Sequence, residues 1–225
     1  MKKILIVAAH PDDEVLGCFG TVARLIGERG GGEAYTLILG KGKAARRSAD
    51  RNELHLLQKE MLEANKMIGI KKVFSADFPD NAFDKVPLLD IVKKIEEIKE
   101  RVLPEIVFTH HIGDINIDHQ ITHRAVLTAT RPKFGEIVRT IYAMEIPSST
   151  EWNGYSKETV FVPNMFFDVS ETIDLKIQAL SEYESELMLY PHPRSLEYVR
   201  LLAKINGAKV GLEYVENFML VRSVC

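Results

Sequence analysis

Cysteine is nearly absent. Of 225 residues only Cys18 and Cys225 are cysteines, too few and too far apart for a thiolate metal site or a disulfide framework. Both are expected to remain thiols with structural roles. Neither sign of charge dominates: Lys and Arg total 29 against 32 Asp and Glu, and no basic stripe supplies the electrostatic footprint that nucleic acid requires. Long apolar runs are missing too. The N-terminus reads MKKILIVAAHPDDE, two lysines before a six-residue apolar run that a histidine and three acids interrupt; that run is too short for a signal peptide or a membrane span. A cytoplasmic enzyme is the expectation. No linker, repeat or low-complexity tract divides the chain, so residues 1–225 read as a single domain. Gly17 and Gly20 follow the first apolar run but do not complete GxGxxG, which sets a dinucleotide-dependent dehydrogenase aside. The basic loop from Gly40 to Ser48 likewise lacks P-loop spacing. Its cations Lys41, Lys43, Arg46 and Arg47 read as a solvated, flexible lid.

With 46% hydrophobic and 27% charged residues, the chain can bury one sizeable core. Short β-branched runs alternate with helical periodicity. Strands are expected at 4–8, 35–39, 72–75 and 106–109, with helices after 15, over 49–68 with Gly69 as its stop, over 88–102, and over 119–130 ahead of Pro132. Later come strands at 137–143 and 160–169, a charged helix over 171–189, a helix over 195–205 and a strand near 218–221. This alternation predicts an α/β fold, a Rossmann-like three-layer sandwich with a mostly parallel central sheet. Ligands gather at the carboxyl ends of strands in such sheets.

Two polar clusters fall there. His10-Pro11-Asp12-Asp13-Glu14 follows the first strand, and His111-Ile-Gly-Asp114-Ile-Asn116-Ile-Asp118-His119 follows the fourth. Crowded carboxylates repel one another, a divalent cation relieves that repulsion, and imidazole with carboxylate suits zinc or ferrous iron. Helix capping by Asp12 or Asp13 explains one acid but not the histidine, the second Asp and the matching cluster. A metal held by His10 and Asp13 needs a third ligand from the other loop, His119 or His111, with one position open. Asp12 is then free to take a proton from an attacking water. The chemistry implied is hydrolysis of a carbonyl-type bond.

Ala9-His10-Pro11-Asp12-Asp13-Glu14 together with His111-x-x-Asp114-x-Asn116-x-Asp118-His119 resembles the two signature motifs of the LmbE-like, or PIG-L, family of N-acetyl-sugar deacetylases. Pro79-Asp80-Asn81, 128–132, Ser148-Ser149-Thr150-Glu151-Trp152 and Tyr190-Pro191-His192-Pro193-Arg194-Ser195 resemble further stretches of its bacterial branch. The resemblance implies that His10, Asp13 and His119 hold zinc, with ferrous iron as the other candidate ion. It further implies that Asp12 is the general base, that Asp118 orients its neighbourhood, and that Arg51 and Asp80 meet the sugar. Asn116 stands where many members place a histidine that acts as an acid or polarises the carbonyl. His192 is the candidate replacement if the late loop folds back over the metal. The implied partner is a small N-acetylated sugar or conjugate, such as an N-acetylglucosamine derivative. Family members often form homo-oligomers, for which the late aromatic and proline-rich segments offer an interface. Two rivals stand beside this reading: a metal-dependent amidase acting on a thiol conjugate or antibiotic precursor, and a sugar- or nucleotide-binding module without turnover.

Overall fold

A computed structural model describes residues 2–28, 31–42, 51–154 and 156–225, the side chain of Arg51 excepted. The chain runs β1 (Lys3–Ala8), α1 (Asp13–Gly27), β2 (Glu33–Gly40), α2 (Arg51–Ile68), β3 (Lys72–Phe78), α3 (Leu88–Val102), β4 (Ile106–His110), α4 (Ile117–Ala129), β5 (Thr140–Met144), β6 (Met165–Asp168), α5 (Ile173–Ser181), α6 (Leu196–Val210) and β7 (Val215–Ser223). The strands form one seven-stranded sheet in the order β3-β2-β1-β4-β5-β7-β6. Strands β1 to β5 pair in parallel, and β7 runs antiparallel between β5 and β6.

Alternation along β1 explains the layers. Ile4, Ile6 and Ala8 join one buried cluster with residues of α1, α2, α5 and α6, while Leu5 and Val7 join a second with residues of α3 and α4. Successive side chains of a strand point to opposite faces, so a run apolar at every position is covered on both. This is the mostly parallel three-layer α/β architecture expected from the pattern.

The topology also decides where chemistry can sit. From β1 the chain winds outward through β2 and β3, then returns to place β4 on the other side of β1. Such a reversal leaves a crevice outside the carboxyl ends of the two central strands. Those ends carry the His10–Glu14 and His111–His119 segments, each a short loop that runs into the first turn of a helix, α1 from Asp13 and α4 from Ile117.

Several boundaries differ from the sequence expectation. The helix expected over 171–189 spans only Ile173–Ser181, because Ser185 donates both its N–H (3.1 Å) and its hydroxyl (2.6 Å) to Glu60 on α2. The strand expected from 137 begins at Thr140, since Glu136 accepts the N–H groups of Ile137 and Val138 that would otherwise enter a ladder. The strand expected over 160–169 contracts to Met165–Asp168, whereas α6 runs on from 205 to Val210 before Gly211 closes it with φ 77°. Gly69, with φ 86°, follows the end of α2 as expected. Ala49, Asp50, Gly30 and the lid cations Lys43, Arg46 and Arg47 lie outside the described residues. Among the described residues no helix is long and apolar enough to cross a membrane.

Candidate metal centre

The loop after β1 is anchored at once. Ala9 donates its N–H to His110 Nε2 (2.8 Å) and accepts from Gly40 N (2.8 Å), so the chain leaves the sheet in a set direction. Asp12 then takes a left-handed conformation, φ 96° and ψ −29°, and α1 begins at Asp13. The Asp12 side chain makes no capping hydrogen bond. Asp13 Oδ2 accepts instead from the N–H of His10 (2.8 Å), outside the helix. Capping therefore does not account for these acids.

Asp13, fully buried, is the hub. Its Oδ2 lies 3.5 Å from His10 Nδ1 and 3.3 Å from His119 Nε2. The candidate ligand atoms of His10, Asp13 and His119 all fall within 4.8 Å of one another. Two buried atoms at this point, Asp13 Oδ1 and His119 Nε2, have no hydrogen-bond partner among the described residues. Orphaned buried polar atoms carry a desolvation cost that a coordinated ion removes, so the donor set and its unpaired atoms fit a divalent cation.

The far nitrogens of both rings are occupied. His10 Nε2 is 3.0 Å from Asp118 Oδ2 and 3.1 Å from Asp80 Oδ1, and Asp118 Oδ1 accepts from Phe83 N (2.9 Å). His119 Nδ1 is 3.2 Å from Asp114 Oδ2, and Asp114 accepts the hydroxyls of Thr150 (2.7 Å) and Ser149. Carboxylates placed behind histidine fix the tautomer and aim the free lone pair at a metal. His10, Asp80 and Asp118 also cluster within ligand spacing; because both acids face Nε2, they read as the support of His10.

Electrostatics follow this geometry. Burial alone would lower the histidines, but hydrogen bonds donated to Asp118 and Asp13 raise His10 to about 10, and the charges of Asp13 and Asp114 raise His119 to about 9. Burial works to raise Asp13, yet His119 and His110 hold its carboxyl well below the usual range. His110, stacked on His119 at 3.9 Å between ring centroids, is driven by burial down to about 3. Asp12 is raised by burial to about 7 despite the guanidinium of Arg194, whose Nη1 lies 3.2 Å from Oδ2.

A cavity of about 150 Å³ opens beside these groups, lined by His10, Pro11, Asp12, Gly42, Leu57, Asp80, Asn81, Asn116, Glu186 and Arg194. The structure thus brings together His10, Asp12, Asp13, Asp80, Asp118, His119 and Asn116. Asn116 caps α4 by accepting from Asp118 N (2.8 Å), and its amide reaches Asn81 Oδ1 (3.2 Å). His111 is turned away, with Nε2 on the carbonyl of Thr159 (2.9 Å). The late loop does fold back, but it delivers Arg194 to the cavity wall. His192 is not in the lining; its Nδ1 accepts from Arg194 N (3.1 Å) and its ring meets Trp152 edge-on. Arg51 begins α2, and its side chain lies outside the described residues. Sequence reasoning assigned no role to Asp114, Glu14, Arg194 or Glu186. For Glu14, Asp114 and Arg194 a signal existed, since the first lies inside the first motif, the second inside the second motif and the third inside the His192-Pro-Arg-Ser stretch.

Comparison with known proteins agrees with the motifs. The profile of a family described as PIG-L, GlcNAc-PI de-N-acetylase, matches residues 5–130, more than half of the chain. A probable N-acetyl-alpha-D-glucosaminyl L-malate deacetylase 2 from Bacillus cereus is 27% identical over 191 residues, covering 82% of this chain and 84% of that protein. Diacetylchitobiose deacetylase from Thermococcus kodakarensis is 24% identical over 240 residues, covering 100% of this chain and 85% of that one. Among solved structures, a conserved protein from Thermus thermophilus superposes with a TM-score of 0.78 at 26% identity, covering 100% of this chain and 97% of the other.

Proposed function

The chain belongs to the PIG-L family, and on that premise we propose that it is a metal-dependent hydrolase that removes the N-acetyl group of an amino sugar, releasing acetate. The observation that carries this reading is the cluster of His10, Asp13 and His119, whose candidate ligand atoms lie within 4.8 Å of one another beside Asp12 at a polar cavity, with Asp13 Oδ1 lacking a hydrogen-bond partner among the described residues. His10, Asp13 and His119 would hold the ion, zinc or ferrous iron. Such an ion supplies Lewis-acid polarisation of a carbonyl and acidification of water.

The protein's own groups carry the protons. Asp12 lines the cavity beside the candidate ligands, where a carboxylate within reach of an attacking water suits a general base. It accepts a proton from the water that attacks the acetamide carbonyl carbon, and returns it to the nitrogen as the carbon–nitrogen bond breaks. The carboxyl product gives its remaining proton to the departing amine, so acetate and the ammonium form of the sugar leave and Asp12 is again a carboxylate. Asp118 and Asp114 keep His10 and His119 in one tautomer through the cycle. Asp80, Asn81 and Asn116 offer acceptors and donors to sugar hydroxyls along one wall. Relatives named as deacetylases of an N-acetylglucosaminyl malate and of diacetylchitobiose support a sugar amide as substrate.

The test is acetate release from a panel of free, nucleotide-linked and lipid-linked N-acetylglucosamine derivatives, with and without metal, for the wild type and Asp12→Asn. Release that needs the metal and collapses in the variant is expected. Full activity in folded, metal-loaded Asp12→Asn would remove Asp12 from the role of base. Silence across the panel by protein holding one ion per chain would overturn the sugar assignment in favour of another amide, and silence with no ion bound would favour a binding module.

A further inference from the structure

Asp12 is gripped at both ends. Its left-handed backbone, φ 96°, is a conformation that residues other than glycine hold only when the surroundings impose it. The imposing contacts are specific. The Asp12 N–H donates to Glu14 Oε2 (3.1 Å), and the Asp12 carbonyl accepts from Leu16 N (2.9 Å). At the other end, Arg194 Nη1 lies 3.2 Å from Asp12 Oδ2.

Neither jaw stands alone. Glu14 is fully buried, and its Oε1 accepts from the Tyr183 hydroxyl and from Asn65 Nδ2 (2.9 Å). Asn65 Oδ1 accepts in turn from Thr36 Oγ1 on β2 (2.7 Å). Arg194 is held by Ser148, whose hydroxyl accepts from Nε (2.9 Å), and by Glu186 at 3.5 Å. Tyr183 and Arg194 both belong to the irregular segment between α5 and α6, so one stretch of chain reaches Asp12 from two directions.

We propose that Glu14 and Arg194 are positioning residues that hold the Asp12 carboxylate toward the cavity, with Tyr183 bracing Glu14 from behind. The proposal rests on Asp12 acting as the base. A fully buried carboxyl group whose hydrogen-bond partners are neutral is poor packing material, and a leucine would fill the same space without desolvation. What Glu14 does that an apolar residue cannot is accept the Asp12 peptide N–H and transmit the fixed positions of α2, β2 and Tyr183 to it. All the hydrogen bonds named here are donated to Glu14. Glu14→Gln changes what the Asp12, Asn65 and Tyr183 donors meet at one of the two oxygens, while Tyr183→Phe deletes a single donor.

The experiment measures kcat, KM, bound zinc and the unfolding midpoint for Glu14→Gln, Tyr183→Phe, Arg194→Gln and Arg194→Lys, with Asp12→Asn alongside, using N-acetylglucosamine and diacetylchitobiose as probes. Displacing a reacting group by about 1 Å costs on the order of a hundredfold in rate. Glu14→Gln and Arg194→Gln are therefore expected to lower kcat by about ten- to a hundredfold with KM and zinc content held, Arg194→Lys to recover part of the loss, and Tyr183→Phe to fall between. A merely structural role would lower the unfolding midpoint without that split. If Asp12→Asn is as active as the wild type, the base assignment fails, whatever the other variants do. If Asp12→Asn is inactive while folded, zinc-loaded Glu14→Gln, Arg194→Gln and Tyr183→Phe turn over within about twofold of the wild type, the positioning role is overturned. Tyr183→Phe keeps the test alive if Glu14→Gln does not fold. If the wild type is silent on both probes, crystal structures of Tyr183→Phe and Glu14→Gln decide: an Asp12 backbone that leaves the left-handed region supports the clamp, and one that stays refutes it.

Discussion

Asp114 Oδ2 stands 3.2 Å from His119 Nδ1, while the other nitrogen of that ring faces Asp13 at 3.3 Å. One imidazole is thus caught between two carboxylates with different tasks. Asp114 is itself held by the Ser149 and Thr150 hydroxyls and by the N–H of Asn116 (2.8 Å), so the orientation of His119 depends on a segment that follows β5.

Removing that support should be felt at the ion. Asp114→Asn, or the pair Ser149→Ala and Thr150→Val, is expected to weaken zinc binding by about 10- to 100-fold. Competition against a chromophoric chelator measures it, and an unchanged dissociation constant would show that Asp114 does not orient a ligand.

Proton linkage provides a second check. Burial opposes the shifts, but Asp118 and Asp13 raise His10 to about 10, and Asp13 and Asp114 raise His119 to about 9. Both lie above the ordinary value near 6.5, so the metal-free protein carries these protons at neutral pH and an incoming ion must displace them. Zinc binding at pH 7 is expected to release protons and to tighten as pH rises toward 9 to 10. Titration calorimetry in buffers of different ionisation enthalpy reads the number released, and a count of zero would contradict the assignment. The same sign makes these groups stabilise the metal-free fold fully below about pH 6.5, with the contribution lost as pH climbs through the folded values.

Asn116 serves a helix as well as the cavity. Its side chain accepts from Asp118 N at the start of α4, and Asn116→Ala is expected to cost about 1 kcal/mol, lowering Tm by roughly 2–4 °C for a chain of this size. Asn116→Asp keeps the acceptor and should hold stability near that of the wild type. Thermal unfolding of the two variants separates the cap from other effects of the site, and equal losses would argue against capping.

Outside the cavity lining, Lys176 and Glu216 form a buried ion pair at 2.6 Å. Glu216 also accepts from Gly20 N (3.0 Å) and Thr21 N (2.6 Å), and Lys176 donates to the Leu16 carbonyl (2.8 Å). This pair ties α1 to α5 and β7. Glu216→Ala strands the ammonium and should destabilise by about 3–5 kcal/mol, a Tm loss of roughly 6–20 °C. Denaturant titration checks it, and a loss below about 1 kcal/mol would mean that water or another group replaces the carboxylate.

Local sequence was informative where local forces dominate. The all-apolar run of β1, the periodicity of α2 and α3 and the stop at Gly69 were each legible because alternation, amphipathic spacing and glycine's freedom act within a few residues. The end of α5 was not, since Glu60 on a different helix takes the hydrogen bonds of Ser185. The start of β5 is a middle case. Glu136 captures the N–H groups of its two successors, a short-range competition that apolar patterning does not register.

The candidate site divides in the same way. Sequence alone placed His10, Asp12, Asp13, Asp118 and His119 where two buried strands hand over to the helices that follow them, because residue chemistry and strand–helix alternation are written in the linear order. Only the tertiary structure decided that Asp13 sits between His10 and His119, that Asp114 backs His119 while His111 turns to Thr159, and that the late loop presents Arg194 to Asp12 while His192 packs on Trp152. Those outcomes depend on side chains separated by up to about 180 positions meeting at one sheet edge, and their directions are set by packing and by buried hydrogen bonds that no single segment contains.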